Sequence, residues 1–430
     1  MKVKIDQAVI LVAGKGERLE PFTYTKPKPL IQVLDKPFIY YVLENLRAIG
    51  ISEVVFVVGY LKDKIIAYVK ENFSNKFSSI KFVDQGEPLG TGHALKTVRK
   101  HVKSRFLLVY GDIYVEVSAL RRILEFSEKY ENIIVAVETE RPWDYGVLIE
   151  EGGLLKGIVE KPEPGTEPSN IINAGVYVLS DDIFNYLDKI GTSPRGEIEL
   201  TDAITLMSKS EKVGIARIDR NKWLELGKLW DILDINRFFL EKVVSQKIFG
   251  VVESNVVIKG PALICEEAHV KSGTYIEGPV FVGKGSEIGP NSYIRPYTVI
   301  GEYVKIGASC EIKSSVIMNY THIPHLSYVG DSVIGEHVNF GAGTITANLR
   351  FDDAPVKVVL KGAKVSSGRR KLGAFIGDYV KTGVDVMFMP GVKVGAYSWI
   401  SPGLVIYDDV PPKTFVKPKE RRGYVFESLG

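Results

Sequence analysis

The sequence predicts an α/β domain with a mostly parallel sheet, followed by a parallel β-helix, that is, a coil of short stacked strands. Two observations lead to this fold class. Apolar strand-like runs alternate with helix-like stretches in the first half, and an apolar residue recurs at every sixth position through much of the second half. At 430 residues the chain is long enough for two domains with separate cores. We place the first domain at 1–228, a connecting helix at 229–250 and the second domain at 251–430.

The first half alternates between two kinds of segment. Apolar runs cover 7–13, 53–59, 80–84, 105–110, 132–138 and 172–179, and helix-like stretches cover 38–49, 61–73 and 118–130. Such alternation with short connections is typical of a mostly parallel sheet with helices on both faces. Ligands of these sheets bind at the carboxyl ends of the strands, so we expect a site beside the loop after the first run. The stretch 229–246 carries apolar residues at helical spacing, which predicts the connecting helix.

The second half has a period of six. Aliphatic residues occupy every sixth position from Ile258 to Ile312, and a second, mostly apolar series of this period runs from Ile376 to Ile406. Neither a helix nor a strand has this period, but a coil with three flat sides of six residues would point each of these side chains inward. The pattern resembles the hexapeptide repeats of left-handed β-helices. The stretch 349–373 does not follow the period, so we predict that it leaves the coil as a loop.

Composition limits the partners. The 55 Lys and Arg residues nearly balance the 52 Asp and Glu residues, which gives no reason to expect nucleic acid or an anionic membrane as a partner. The two cysteines, Cys265 and Cys310, form no CxxC pair, so we expect a reducing compartment and no zinc site. No apolar run approaches the roughly 18 residues of a membrane helix. We therefore expect a cytoplasmic protein.

The first apolar run leads into a glycine loop, "AVILVAGKGERLEPFTYTKPKPL" at 8–30. A strand that enters a glycine-rich turn indicates phosphate binding. The loop has neither common phosphate motif, because Leu19 replaces the third glycine of a dinucleotide fingerprint and Glu17 follows Gly16 where a P-loop needs lysine. It does supply several cations: Lys15, Arg18, Lys26 and Lys28.

The pattern G-x-G-x-R-L-x-P followed by P-K-P-L resembles the signature of sugar-1-phosphate nucleotidylyltransferases. Six further segments of that family's pattern follow in order, at 85–95, 109–112, 145–147, 160–162, 173–179 and 223–227. The resemblance implies a Rossmann-like nucleotidyltransferase domain, in which a sugar phosphate attacks the α-phosphorus of a nucleoside triphosphate and pyrophosphate leaves. Catalysis of this kind depends on positioning two anions and neutralising their charge.

The resemblance also implies roles for charged residues. Arg18 and Lys28 would hold the triphosphate as catalytic cations, with Lys28 stabilising the developing charge. Asp112, which follows the apolar run 105–110, would bind Mg²⁺. The second metal ligand of the family is an Asp in the pattern W-x-D-x-G, and this position is Glu225 here, one methylene longer.

Other positions of the family pattern imply where the base and sugar bind. Gln85, Gly90 and Thr91 would contact the base, and the form "LGTG" favours UTP while leaving dTTP open. The other nucleotide-binding and sugar-binding positions implied by the resemblance are Leu11, Ala13, Gly14, Gly111, Gly146, Glu160, Lys161 and Asn173.

The second half carries another resemblance. The segment "NYTHIPHLSYVGDSVIGEHVNFGAGTITANL" at 319–349 resembles the acetyltransferase half of the bifunctional N-acetylglucosamine-1-phosphate uridyltransferase/glucosamine-1-phosphate acetyltransferase family. The excursion with "SSGRRK" is more similar to the archaeal version. The resemblance implies acetyl-CoA as a co-substrate and His325 as the general base, since an amine that attacks acetyl-CoA must lose a proton. His322, three residues earlier, is the rival base.

The same resemblance implies the remaining amino-sugar contacts. The positions for the sugar phosphate, the amino sugar and the acetyl group are Arg295, Lys313, Tyr328, Asn339, Ala342, Asn348 and Lys357. The position of a serine that contacts coenzyme A in bacterial members corresponds to Val384 here, so the resemblance assigns no cofactor contact at that end. Because such sites usually form between neighbouring β-helices, the resemblance also implies a homotrimer.

Together these features indicate a bifunctional enzyme that acetylates glucosamine 1-phosphate and then transfers a uridylyl group to the product. Two alternatives stay open at this point: a monofunctional nucleotide-sugar pyrophosphorylase with a non-catalytic trimerising β-helix, and a regulatory or scaffold protein. Arg18, Lys28 and Asp112 argue against the scaffold, and His325 with Tyr328 argues against the monofunctional enzyme. The sequence does not separate glucosamine 1-phosphate from galactosamine 1-phosphate, which differ at one hydroxyl.

Overall fold

The computed structural model describes residues 5–419, apart from the side chain of Val243. Within this range the chain forms two compact units. The first contains the chain up to Gly16 together with Lys26–Ile31 and Lys36–Gly227. The second contains the chain from Lys228 onward together with two short segments from the first half, Glu17–Thr25 and Gln32–Asp35.

The first half of the chain contains short strands and helices in alternation. The strands up to residue 225 are β1 (Gln7–Leu11), β2 (Gln32–Val33), β3 (Lys36–Pro37), β4 (Glu53–Val58), β5 (Ser79–Asp84), β6 (Arg105–Tyr110), β7 (Ile113–Val115), β8 (Asn132–Glu138), β9 (Gly146–Glu151), β10 (Leu154–Glu160), β11 (Ile171–Ser180), β12 (Val213–Arg217) and β13 (Trp223–Glu225). The α-helices are α1 (Phe38–Ala48), α2 (Lys62–Phe73), α3 (Thr91–Thr97), α4 (Val117–Phe126), α5 (Ile183–Leu187), α6 (Leu200–Met207) and α7 (Asp231–Val243). Single 3₁₀ turns lie at Glu17–Leu19, Phe22–Tyr24, Lys28–Leu30, Arg99–His101, Pro142–Asp144 and Arg220–Lys222.

The main sheet of the first unit has the strand order β5-β4-β1-β6-β11-β8-β12-β10-β9. Strands β5, β4, β1 and β6 are parallel, so their carboxyl ends share one edge. Strand β11 runs antiparallel to β6 and β8, and β9 and β10 form an antiparallel hairpin. The predicted α/β fold is confirmed, and the sheet gains antiparallel pairs that strand–helix alternation did not predict.

Burial explains why the central strands read as continuous apolar runs. The side chains of β1 and β6 are covered on both faces of the sheet, as is usual for parallel strands with helices on either side. On one face, helices α3, α5 and α6 pack their apolar residues against this sheet in a single core. That packing holds the carboxyl edge in place.

The second unit is the predicted left-handed β-helix with three flat faces. Face A consists of Lys247–Ile248, Ala262–Ile264, Val280–Val282, Thr298–Ile300, Val316–Ile317, Val333–Ile334, Phe375–Ile376 and Lys393–Val394. Face B consists of Val251–Val252, His269–Val270, Glu287–Ile288, Lys305–Ala308, His322–His325, Lys381–Thr382, Trp399–Ile400 and Phe415–Val416. Face C consists of Val257–Lys259, Tyr275–Glu277, Tyr293–Ile294, Glu311–Lys313, Tyr328–Gly330, Ile345–Thr346, Met387–Phe388 and Val405–Ile406.

Strand pairing confirms the six-residue period. On face C, Ile258, Ile276, Ile294 and Ile312 stack in succession, each 18 residues after the last. On face A the pairing of Ile300 with Ile317 spans 17 residues, so the period breaks where one turn of the coil is a residue shorter. The predicted excursion contains an antiparallel hairpin of Lys357–Leu360 with Ala363–Ser366. After it the chain rejoins face A.

Face A is covered within its own unit. Its outward residues Val299, Val316 and Val333 are buried, and α7 packs against this face. The guanidinium of Arg237 on α7 lies 4.0 Å from the ring centroid of Tyr297, which precedes a face A strand. Among residues 5–419, no helix has the length and apolar character needed to cross a membrane.

Candidate active sites

The glycine loop lies at the carboxyl edge of the first unit. The backbone N–H of Gly111 donates to the carbonyl of Leu11 at 2.9 Å, and that of Tyr60 donates to Ala13 at 3.0 Å. A Cβ at Gly111 would lie 2.2 Å from Val12 Cγ1, so only glycine fits between these strand ends. A Cβ at Gly14 would meet no atom within 4 Å, so this side of the loop is open. The structure thus groups these four predicted nucleotide contacts at one edge.

Lys28 and Asp112 form an ion pair at the same edge. Lys28 begins the 3₁₀ turn Lys28–Leu30, and Asp112 lies in the two-residue turn between β6 and β7. Their side chains are only 14% and 23% exposed, so the pair is largely withdrawn from water. The structure therefore brings together the predicted catalytic lysine and the predicted metal ligand. Arg18, the other predicted cation, is half-buried in the 3₁₀ turn Glu17–Leu19.

Glu225 lies one strand away from Asp112. Strand β13 pairs antiparallel with β7, which places Glu225 opposite Ile113, and the N–H of Leu226 donates to the carbonyl of Asp112 at 2.9 Å. No group of three or more His, Cys, Asp or Glu side chains suited to a metal occurs within residues 5–419. A pair of carboxylates suits Mg²⁺, because Mg²⁺ commonly takes one or two carboxylates and completes its shell with water and substrate phosphates.

The predicted base contacts surround the start of α3. Gly90 has a φ of 105°, and a Cβ there would lie 2.6 Å from the carbonyl oxygen of Ile198, so glycine is required. Gln85 follows β5, and its side-chain Nε2 donates to the carbonyl of Gly90 at 3.1 Å. The hydroxyl of Thr91 accepts a hydrogen bond from the N–H of Leu200 at 3.1 Å.

The predicted sugar contacts lie on β9, β10 and β11. Gly146 is paired with Glu160 across the β9–β10 hairpin, and a Cβ at Gly146 would lie 2.8 Å from the Glu160 carboxylate. The next residue, Lys161, has a φ of 44°, an unusual conformation for a side chain with a Cβ. Asn173 lies where the pairing of β11 with β8 is irregular, and its Oδ1 accepts from the N–H of Gly175 at 3.0 Å. Irregular strands are frequent beside active sites.

A pair of tyrosines, Tyr110 and Tyr177, lies beside the predicted sugar contact Asn173. The Asn173 amide donates to the Tyr177 hydroxyl at 2.6 Å, and the hydroxyls of Tyr177 and Tyr110 lie 3.2 Å apart. Burial raises the pKa of both tyrosines, so their hydroxyls keep their protons. Sequence reasoning missed both, although each tyrosine lies inside a quoted segment of the family pattern.

Arg195 is a third residue that sequence reasoning missed. Its guanidinium lies 2.8 Å from the Glu199 carboxylate and 3.5 Å from that of Glu160. Burial raises the pKa of Glu199, and the neighbouring Arg195 opposes that shift. The segment "SPRGEIEL" that precedes α6 was the available signal.

On the β-helix, the predicted residues Lys313, Tyr328 and Asn348 form one cluster with a fourth residue, Asp331. The Lys313 ammonium lies 2.9 Å from Asp331, with side chains only 17% and 12% exposed. The Asn348 amide donates to Asp331 at 2.6 Å and to the Tyr328 hydroxyl at 3.1 Å. Burial raises the pKa of Tyr328 and Asp331 adds to the effect, which keeps this hydroxyl protonated. Asp331, which sequence reasoning did not single out, therefore holds the cluster together.

Arg295 lies one turn earlier on the same face. Its Nη1 donates to Glu311 at 2.8 Å, and Glu311 is paired with Tyr328 on the next turn. The Nε of Arg295 is buried and has no hydrogen-bond partner within the described part of the chain. A buried donor without a partner is costly, so this guanidinium is suited to an anionic ligand.

The remaining acetyltransferase positions lie outside this cluster. His325 is exposed at the end of its face B strand, and Asn339 is bridged to His322 and Lys381 on the same face. Ala342 accepts a backbone hydrogen bond from Asp385 at 2.8 Å. Lys357 begins the excursion hairpin, opposite Ser366, and takes part in none of the cluster's hydrogen bonds among residues 5–419.

Comparison with known proteins assigns the class. Residues 7–242 match the family described as nucleotidyl transferase, and residues 276–388 match the family described as GMPPB C-terminal domain. The crystal structure of a UDP-glucose pyrophosphorylase complexed with UDP-glucose has 26% identity and a TM-score of 0.51, covering 56% of this chain and 100% of that one. The fold and the site therefore define a nucleotidyl transferase that carries an additional β-helix.

Curated relatives extend over both halves. A bifunctional sugar-1-phosphate nucleotidylyltransferase/acetyltransferase from Sulfurisphaera tokodaii is 51% identical over 413 residues, which cover 96% of this chain and 100% of the relative. The bifunctional protein GlmU of Methanocaldococcus jannaschii is 45% identical over 415 residues, which cover 96% of this chain and 98% of the relative. This chain belongs to the family of bifunctional sugar-1-phosphate nucleotidylyltransferases/acetyltransferases.

Proposed function

We propose that the chain catalyses two reactions of UDP-N-acetylglucosamine synthesis. Acetyl-CoA and glucosamine 1-phosphate give N-acetylglucosamine 1-phosphate, which reacts with UTP to give UDP-N-acetylglucosamine and pyrophosphate. One observation carries the proposal: each unit contains its own cluster of largely buried charged side chains, Lys28 with Asp112 and Lys313 with Asp331. We assign uridylyl transfer to residues 1–228 and acetyl transfer to 251–430, with 229–250 as the connector.

For uridylyl transfer, the geometry supports charge neutralisation at the sheet edge. Asp112 and Glu225 would hold Mg²⁺, which supplies positive charge to the triphosphate. Lys28 neutralises Asp112 in this structure, and its ammonium would turn to the triphosphate when the nucleotide binds. Backbone N–H groups at the open side of Gly14 would bind phosphate oxygens. The sugar phosphate oxygen then forms a bond to the α-phosphorus while the bond to pyrophosphate breaks.

On the sugar side, Glu160 and Asn173 would bind hydroxyls and the N-acetyl group, next to Gly146. Lys161 would bind the sugar phosphate, and Arg195 adds a second cation 3.5 Å from Glu160. On the base side, Gln85, Gly90 and Thr91 would contact uracil. Leu11, Ala13 and Gly111 would line the nucleotide at the strand ends.

For acetyl transfer, the amine of glucosamine 1-phosphate attacks the thioester carbonyl of acetyl-CoA. His325 takes the proton from the amine, the new amide bond forms, and the coenzyme A thiolate leaves. Arg295 and Lys313 would bind the sugar phosphate, which would satisfy the unpartnered Nε of Arg295. The other proposed contacts are Tyr328, Asn339, Ala342, Asn348 and Lys357.

The proposal includes a homotrimer formed through the β-helix and a cytoplasmic location. Support for self-association comes from face C, where the outward side chains of three consecutive strands, Ile345, Met387 and Val405, are each 36–41% exposed. Exposed apolar residues in a row are typical of protein interfaces. The cysteines Cys265 and Cys310 are both free thiols, which suits a reducing compartment.

One assay panel tests the proposed function. The purified chain is offered UTP or dTTP with N-acetylglucosamine 1-phosphate, and acetyl-CoA with glucosamine or galactosamine 1-phosphate, each with Mg²⁺ or with a chelator. We expect Mg²⁺-dependent pyrophosphate release with UTP and thiol release from acetyl-CoA with glucosamine 1-phosphate. Pyrophosphate release without any acetyl transfer would contradict the bifunctional assignment.

A further inference from the structure

The side-chain amide of Gln85 is held in one orientation. Its Nε2 lies 3.1 Å from the carbonyl oxygen of Gly90, and a carbonyl oxygen can only accept hydrogen bonds. The amide nitrogen, and not the amide oxygen, must therefore face Gly90. The second hydrogen of Nε2 is directed at His93 Nδ1, at 3.3 Å.

This second contact defines the role of His93. With both N–H groups of the amide used, Nδ1 of His93 must be the acceptor, which places the imidazole proton on Nε2. Gln85 is 8% exposed, and none of the hydrogen bonds among residues 5–419 ends on its Oε1. The side chain thus offers a fixed acceptor, and no donor, to whatever binds beside it.

We propose that His93 is a positioning residue for nucleotide specificity: by holding the Gln85 amide, it directs Oε1 at the imide N3–H of the base. The inference rests on the proposed nucleotide site. Uracil carries a donor at N3, whereas cytosine carries a lone pair there. Oε1 therefore attracts uracil and repels cytosine, and a buried site that leaves such a group unpaired discriminates strongly. Thymine also has an N3–H, so this device rejects CTP but does not separate UTP from dTTP.

Two substitutions at His93 distinguish a role in orienting the Gln85 amide from a role of the His93 ring in packing alone. In His93→Phe the ring remains but the acceptor is lost, so the Gln85 amide is free to rotate. In His93→Asn the side-chain oxygen stands at the same number of bonds from Cα as Nδ1 and restores the acceptor. His101→Phe is the matched control, because His101 is exposed in the 3₁₀ turn after α3 and does not contact Gln85.

The measured quantity is the ratio of kcat/KM for UTP to kcat/KM for CTP, with N-acetylglucosamine 1-phosphate as the second substrate. We expect His93→Phe to lower this ratio about 10-fold, the size of one hydrogen bond, mainly by raising KM for UTP while kcat is retained. His93→Asn and His101→Phe should keep the wild-type ratio. Acetyl transfer should be unchanged in all three variants.

Other outcomes overturn the proposal. If His93→Phe lowers activity with both nucleotides equally, or if His93→Asn behaves like His93→Phe, then His93 serves packing alone. Calorimetric titration of UTP into the wild-type chain separates the two levels of inference. A wild-type chain that neither binds UTP nor turns it over defeats the proposed function and this inference with it, whereas an active wild type with an unchanged ratio in His93→Phe defeats only this inference.

Discussion

The contact between Lys28 and Asp112 illustrates how single residues gain a function from their neighbours. Each is an ordinary charged residue in the sequence, and only the fold brings the ammonium onto the carboxylate. The pairing keeps both charges neutralised at a largely buried edge, since an unpaired charge there would be costly. When Mg²⁺ and a triphosphate bind, Asp112 would pair with the metal cation and Lys28 with the phosphate anion.

We expect Lys28→Ala to lower kcat for uridylyl transfer by about 10²-fold, because it removes a cation from the charge that develops at the phosphates. The KM for the sugar phosphate should change far less. Steady-state kinetics with each substrate varied in turn would measure both effects, with Lys62→Ala, an exposed lysine paired with Asp84, as the control. An unchanged kcat would remove Lys28 from the mechanism.

The tyrosine pair predicts a subtler effect on binding. Tyr177→Phe removes the hydroxyl that accepts from Asn173 and meets Tyr110, so the Asn173 amide loses a fixed partner. We expect KM for the sugar phosphate to rise about 5-fold to 10-fold, as one buried hydrogen bond implies. Tyr186→Phe is the control, since the hydrogen bonds of that hydroxyl within residues 5–419 are to Ser210 and Glu211, away from the site. Equal KM values in the two variants would contradict a positioning role.

His325 is the residue on which acetyl transfer depends in this proposal. His325→Ala should lower acetyl transfer by about 10²-fold or more, because the attacking amine then has no general base. Uridylyl transfer should stay at the wild-type level. His322→Ala, three residues earlier on the same strand, serves as the comparison. If that variant loses acetyl transfer and His325→Ala does not, the base is His322.

At the scale of secondary structure, the sequence predicted elements with strong periodicity and missed those without it. The six-residue series predicted the coil because each inward residue must be apolar to fill a narrow prism. Strands β1, β4 and β6 were predicted because burial on both faces demands continuous apolar runs. The β9–β10 hairpin was missed, since its burial pattern as a whole is neither a continuous buried run nor a strict alternation, and its strands contain glycines and glutamates.

The residues of the candidate sites also divide into those that the sequence predicted and those that it missed. Residues that belong to a contiguous motif, such as Gly14 or Asp112, could be placed at the sheet edge from sequence alone. Asp331 and Arg195 gain their roles from partners that are distant in the sequence, Lys313 and Glu160, and no local pattern encodes such contacts. The contact between His93 Nδ1 and the side-chain amide of Gln85 likewise arises from the packing of the folded chain.

The stacked isoleucines of face C predict a measurable stability effect. Ile294 is fully buried in the coil and is paired above and below with Ile276 and Ile312. Ile294→Ala should lower the free energy of unfolding by about 2–5 kcal/mol, because it leaves a cavity that two rigid neighbouring turns cannot close. Chemical denaturation would measure this, with the outward-facing Lys305→Ala as the control expected to change little. Similar unfolding midpoints for the two variants would contradict the inward stack.

At the scale of the whole molecule, the proposed function places two reactions on one chain and assigns each to its own cluster of residues. The product of acetyl transfer is the sugar substrate of uridylyl transfer, so one polypeptide supplies both steps in fixed proportion. The relatives that match both halves are likewise bifunctional by name. In the proposed function the halves differ in their dependence on assembly, because the flat faces of the β-helix would complete the acetyltransferase site with a neighbouring chain, while the proposed nucleotide site lies at a strand edge of the α/β unit.

The proposed homotrimer can be tested by a substitution at its proposed interface. Met387 lies outward on face C and is 41% exposed, in the apolar row beside Ile345. Met387→Glu should convert a particle of three 47.8-kDa chains into monomers, since a buried unpaired carboxylate at the interface is costly. Analytical ultracentrifugation would measure the change, with Lys81→Glu, an exposed residue of β5, as a control for the added charge. Monomers should keep uridylyl transfer and lose acetyl transfer, because the amino-sugar cluster then lacks the neighbouring coil. Monomers with full acetyl transfer would show that Lys313, Asp331 and their partners form a complete site within one chain.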